Sequence, residues 1–135
     1  MKYLLDTNIC IYLINERPKD VLSKFEQYPI DEFGISSITH AELQYGIAKS
    51  THKEQNKEAL DEFLLPLTIL PFHGDKMTAC YGGIRVLLES RGQTIGSFDM
   101  LIAAHALSLD LTLISNNTRE FARIPNLKLE NWVLN

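Results

Sequence analysis

The tightest constraint on the fold is a series of short apolar runs, each closed by polar residues and separated from the next by a longer helical pattern. Tyr3 to Leu5 is apolar, too short for a helix core, and runs straight into Asp6, Thr7 and Asn8. It reads as a buried strand ending in a turn, with a helix following through Ile9 to Ile14. Gly34 to Ile38 (GISSI), Thr68 to Leu70 between Pro66 and Pro71, Leu111 to Ser115 (LTLIS) and Leu127 to Leu129 read as further strands. Between them lie helical stretches: one opened by Pro18 with Val21, Leu22 and Phe25 on one face, then Ala41 to Lys49, Lys53 to Leu65, and Asp75 to Arg91. The last of these contains Gly82–Gly83 and is stopped by Gly92. Ser97 is the expected cap of the apolar helix FDMLIAAHALSL, and a short turn follows near Arg119 to Arg123. Strands apolar along their whole length, alternating with helices, predict a parallel sheet covered on both faces. The expected class is α/β in three layers, α/β/α, with a mainly parallel sheet of four to five strands.

A chain of 135 residues with 45% hydrophobic content fits one domain, taken here as residues 1–135. The formal net charge is -4, without the basic excess common in nucleic-acid-binding modules, so charge alone decides nothing about partners. Cys10 and Cys80 form no CxxC pair and read as small core residues. The apolar N-terminus carries Asp6 in its middle, unlike a signal peptide. No run reaches the ~20 apolar residues of a membrane span. A cytoplasmic protein is the expectation.

In open parallel sheets the functional crevice lies beyond the carboxyl ends of the strands. Asp6 follows the first strand, Glu42 lies just past GISSI, Asp99 sits in the first turn of the helix before LTLIS, and Glu120 comes shortly after LTLIS. Each acid also has an ordinary structural reading. Asp6 is a natural helix cap, Thr39 to Glu42 matches a capping box, and Asp99 suits a helix N-terminus. Glu120 suits a solvent-facing position. Convergence favours the other reading, because several carboxylates in one crevice need protons or a cation between them. Oxygen donors point to Mg²⁺ or Mn²⁺ rather than zinc. The histidines form no metal pair: His40 and Glu42 diverge on a helix, and His105 lies about 240° round from Asp99. His105 reads as a packed or interface residue, and His52 and His73 as exposed residues near helix starts.

The blocks LLDTNICIYLI, SSITHAELQYGIAKS, GQTIGSFDMLIAAHA and LTLISNNTREFARIPNLKLENW together resemble the VapC-type toxins of the PIN-domain nucleases. The likeness runs from Tyr3 to Trp132 with the blocks in family order. It implies a Mg²⁺- or Mn²⁺-dependent endoribonuclease, the toxin of a type II toxin–antitoxin pair. Such an enzyme hydrolyses RNA, with tRNA and the initiator tRNA anticodon loop as the leading candidates, and leaves 5′-phosphate and 3′-hydroxyl ends. The family's acids map onto Asp6, Glu42 and Asp99. At the usual position of a further acid this chain has Asn117, so Glu120 is the alternative fourth ligand. Thr7, Asn8 and Ser115 match polar positions that line the pocket. The resemblance also implies a homodimer and a VapB-type antitoxin that forms a hetero-oligomer with the toxin.

Lys49, Arg85 and Arg91 are the candidate RNA contacts, each with a solvated helix face as its plain alternative. Cys80, Ile84, Leu87 and Leu88 fit a dimer interface or core packing equally well. Three rivals remain open: a Mg²⁺-dependent phosphoryl-transfer or receiver-like domain, a metal-free ribonuclease, and a non-catalytic interaction module.

Overall fold

Three short buried segments form the middle of the computed structural model, which describes residues 1–133. They belong to strands β1 (Tyr3–Leu5), β2 (Phe33–Ser36) and β4 (Thr112–Ile114). With β3 (Thr68–Leu70) and β5 (Leu129–Glu130) they make a five-stranded sheet in the order β3-β2-β1-β4-β5. Every pairing is parallel, as uniformly buried strands require.

Helices cover both faces, so the α/β/α expectation holds. On one face Tyr3, Leu5, Phe33, Ile35 and Ile114 pack against α1 (Thr7–Asn15), α2 (Lys19–Glu26), α3 (Ser37–Ala48) and α4 (Lys53–Leu64), through Ile9, Leu13, Val21, Leu43 and Leu60. Tyr3, Tyr28, Phe33 and Trp132 interlock at the edge of this core. Leu4 and Leu113 point the other way, against α5 (Gly74–Ser90) and α6 (Ser97–Ser108). Successive strand side chains alternate between faces, which divides the core in two.

Helix α6 is apolar all round and buried on nearly every side, the pattern of a helix packed between a sheet and a neighbouring helix. Ala103, Ala104 and Ala106 let it approach closely. Ile84 and Leu88 of α5 lie in the same core with Cys80 against it, so these apolar positions serve packing. Cys10 is fully buried, and burial pushes its thiol pKa up. Gly92, with φ +62°, supplies the left-handed residue just past α5. No described helix is long and apolar enough to cross a membrane.

Several expected boundaries shift. The GISSI strand ends at Ser36, whose side chain accepts from the Ile38 N–H at 3.0 Å and caps α3. The capping box read at Thr39 to Glu42 therefore does not form, because the helix is already under way there. Ser97 opens α6 but does not cap it; Gly96 holds that position without a side-chain cap. The final strand begins at Leu129, where β4 offers a partner, rather than at Leu127.

Candidate metal centre

The acids sit where the chain leaves the sheet. Asp6 directly follows β1 and is 4% exposed. It caps α1 by accepting from the Thr7 N–H at 2.8 Å, and its other oxygen accepts from the Ser115 hydroxyl at 2.7 Å. Ser115 follows β4, which is paired with β1, so sheet register brings together residues 109 positions apart. Ser115 Oγ also accepts from the Asn117 N–H at 2.9 Å, which orders the turn into α7 (Thr118–Phe121).

Glu42 lies on α3, on the neighbouring side of β1. The Thr7 hydroxyl donates to its Oε1 at 2.6 Å, and the buried Thr39 hydroxyl lies 3.3 Å from Thr7 Oγ1. Asp99, on the first turn of α6, accepts at 3.3 Å from the Asn117 amide, which also donates to Glu120 Oε2 at 3.3 Å. The Asn117 amide thus bridges two acids. Asp6, Glu42 and Glu120 all act electrostatically on Asp99, Glu42 also acts on Asp6, and Glu42 and Asp99 line a cavity of about 260 Å³ with Gly96, Ser97 and Phe98.

The electrostatics follow from that grouping. Asp99 is pushed up to about 6, first by burial and then by the charges of Asp6, Glu42 and Glu120, against the opposing pull of the Asn117 amide. Asp6 is also raised, chiefly by burial, while the Ser115 and Thr7 donors pull it back. None of the four acids is ion-paired with a lysine, arginine or histidine among the described residues. Neutral donors hold them instead.

Their convergence is looser than the sequence leads one to expect. Among the described residues, no three His, Cys, Asp or Glu side chains are grouped tightly enough to hold a metal ion as they stand. Like charges repel, and here each acid leans on its own donor: Asp6 on Ser115, Glu42 on Thr7, Asp99 on Asn117. The donor set still suits Mg²⁺ or Mn²⁺, which prefer oxygen, and Mg²⁺ keeps several waters and takes only one or two carboxylates directly.

The remaining candidates separate. Thr7, Ser115 and Asn117 join the acid network, whereas Asn8 is exposed and outside it. Lys49 is exposed with its ammonium 4.8 Å from the centre of the Tyr45 ring. Arg85 is occupied by Tyr81 and Glu89, and Arg91 is the exposed C-cap of α5. None of the three lines the cavity. His105 is buried, as a packed histidine should be, and His52 and His73 are exposed. Two residues of this region were not read as part of it from sequence: Thr39, read only as a helix cap, and Ser36. The signal for Ser36 was its serine directly after an apolar run, a normal cap signature.

The chain matches the family model described as "PIN domain" over residues 3–127. It is 50% identical over 133 residues to Ribonuclease VapC2 of Rickettsia felis, covering 98% of each chain. It is 39% identical over 132 residues to the tRNA(fMet)-specific endonuclease VapC of Shigella flexneri, again covering 98% of each. A crystal structure of VapBC2 from Rickettsia felis bound to a DNA fragment from their promoter superposes with a TM-score of 0.87 at 48% identity, covering 98% of this chain and 100% of that one. The chain belongs to the PIN-domain family and stands among its VapC ribonucleases.

Proposed function

We propose that this protein is the toxin of a toxin–antitoxin pair, a divalent-metal-dependent endoribonuclease that acts as one PIN domain and cuts RNA to arrest translation and growth. The observation that carries the reading is a set of four carboxylates from four separated segments, none ion-paired with a base among the described residues, in which burial first and then the other three charges push Asp99 up to about 6. Such a group is expensive unless a cation joins it.

Asp6 and Asp99 would be the direct ligands of Mg²⁺ or Mn²⁺, with Glu42 and Glu120 holding a second ion or coordinated water. When bound, the cation supplies Lewis acidity, acidifying water and offsetting charge that grows on the phosphate. The chain's own residues do the positioning. Ser115 and the Thr7 N–H engage both Asp6 oxygens, which fixes the carboxylate plane and favours its ionised form. Thr7 orients Glu42, and Asn117 orients Asp99 and Glu120. Glu42, held by Thr7, would be the base that takes the proton from water in a hydrolysis leaving 5′-phosphate and 3′-hydroxyl ends.

The relative from Shigella flexneri is named for tRNA(fMet), and the Rickettsia felis structure is a VapBC complex on promoter DNA. By likeness we assign tRNA as the substrate class and a VapB-type antitoxin as partner, with a toxin homodimer inside the assembly. Lys49, Arg85 and Arg91 are proposed to meet the RNA backbone outside the cavity.

The test is cleavage of a bacterial RNA pool by the purified chain with Mg²⁺, Mn²⁺ or EDTA, followed by sequencing of the new 5′ ends. Metal-dependent 5′-phosphate ends concentrated in tRNA are expected. Cleavage in EDTA that leaves cyclic phosphates would sink the reading, and turnover of a generic phosphatase substrate blocked by Asp6→Asn would replace it with phosphoryl transfer.

A further inference from the structure

Outside the acid network, one buried polar pair joins the two helices that carry Glu42 and Asp99. His105, on α6, is 0% exposed, and its Nδ1 lies 2.7 Å from the Oγ of Ser36, also 0% exposed. Ser36 is the last residue of β2 and the N-cap of α3, and its Oγ already accepts from the Ile38 N–H at 3.0 Å. Because Ser36 Oγ already accepts from Ile38, its own hydroxyl proton is left to donate, and the chain runs in one direction: Ile38 N–H to Ser36 Oγ, Ser36 O–H to His105 Nδ1. It requires the tautomer with its proton on Nε2. That nitrogen has no hydrogen-bond partner among the described residues, and the imidazole packs edge-on with the Phe72 ring, with ring centres 5.6 Å apart at 77°.

A histidine kept only for packing would be matched more cheaply by an apolar side chain, since an unpaired buried N–H is costly. What the imidazole provides in return is a directional link. It connects the capping residue of α3 to the body of α6, across 69 residues of sequence. Glu42 lies in the second turn of α3 and Asp99 in the first turn of α6, so the link ties the start of the Glu42 helix to the last turn of the helix whose first turn carries Asp99. Ser37 adds a second tie, accepting from the Phe72 N–H at 2.9 Å.

We propose that His105 is a positioning residue for the nuclease reaction: through Ser36 it sets the placement of Glu42 relative to Asp99. The inference rests on the nuclease reading given above. Its lever is distance, because a displacement near 1 Å at a reacting centre costs on the order of 10²-fold in rate.

The two nitrogens can be separated by substitution. His105→Asn places an amide atom where Nδ1 lies and keeps the Ser36 contact, whereas His105→Gln places one where Nε2 lies and loses it. We expect His105→Asn to hold kcat within about threefold of the wild type. His105→Gln should lower kcat by tenfold or more, with KM little changed and melting temperatures of the two variants close together. Equal losses in both, or none in either, overturn the proposal.

Two measurements need no cleavage. In the ¹⁵N spectrum of the wild-type imidazole, His105 should show one tautomer, protonated at Nε2; exchange between tautomers overturns the proposal even if both variants fail to fold. The Ile38 and Glu42 amide resonances should move in His105→Gln and stay in His105→Asn, and the reverse pattern overturns it. If the wild type cleaves no RNA, the nuclease reading falls while these spectra still decide whether His105 sets α3.

Discussion

Asp99 and His105 lie on one helix, six residues apart, and burial acts on both in the same sense while their pKa values move in opposite directions. Asp99 is pushed up to about 6 and His105 down to about 4, because in each case the buried environment disfavours the charged form. The neighbours differ. His105 meets a serine hydroxyl at Nδ1, which suits a neutral imidazole, and the charge that acts on it is that of His73. Asp99 meets three further carboxylates and one amide, so its charge is resisted but never replaced. A polar group closed on a neutral partner holds structure, whereas one left among like charges is poised for a cation. The two regions should therefore answer differently to the same perturbations.

The largest contrast is in activity. Asp6→Asn and Asp99→Asn should each reduce cleavage by about 10²–10³-fold or more while circular dichroism stays that of the wild type. Retained metal-dependent activity in either variant would break the assignment. Next in size is the response to cation. Mn²⁺ at a hundredfold excess over its dissociation constant should stabilise the wild type by about 2.7 kcal/mol, read as a rise in melting temperature, and leave Asp99→Asn nearly unmoved. Equal shifts in both proteins would place the ion elsewhere.

Ser36→Ala tests the closed pair. It removes the α3 cap and strands His105 Nδ1, and should cost about 1–3 kcal/mol in chemical denaturation, whether EDTA or Mn²⁺ is present. A cost that vanishes with metal would tie the pair to the cation instead.

The smallest effect is in pH, and its sign separates the regions. The unfolded histidine titrates near 6.5, so as pH falls from there towards 4 the unfolded state takes up a proton that buried His105 refuses, and stability drops. The slope is at most about 1.4 kcal/mol per pH unit. Asp99 works the other way: its folded pKa exceeds the unfolded value near 4, so between about 6 and 4 the folded state binds the extra proton and gains stability as pH falls. In EDTA the two partly cancel. Asp99→Asn should steepen the loss on acidification, and His105→Asn should flatten or invert it, both measured by melting temperature across pH 4–7.

Much of the fold was legible because its signals are local. YLL and the Leu113–Ile114 pair of LTLIS put apolar side chains on successive positions, and so on both faces, which implies strands covered on both sides. The acids were legible by position, each following a strand or opening a helix. Capping was misread at Thr39 because T-x-x-E is a true capping signature, and only the earlier claim of Ser36 on the same helix displaces it. The part played by Asn117 was also hidden. As a departure from a family acid it looked like a lost ligand, yet its amide reaches Asp99 and Glu120 together.

Periodicity, apolar runs and the order of acids along the chain are properties of neighbours in sequence, and they suffice for a parallel α/β sheet with carboxylates at its carboxyl edge. Whether a given polar side chain ends up neutral and locked or charged and waiting depends on atoms contributed from far away: Ser115 for Asp6, Ser36 for His105, Asp6 and Glu42 for Asp99. Burial and Coulomb forces act through space, so the chemical character of these groups was set only when strand register and helix packing brought the distant segments together.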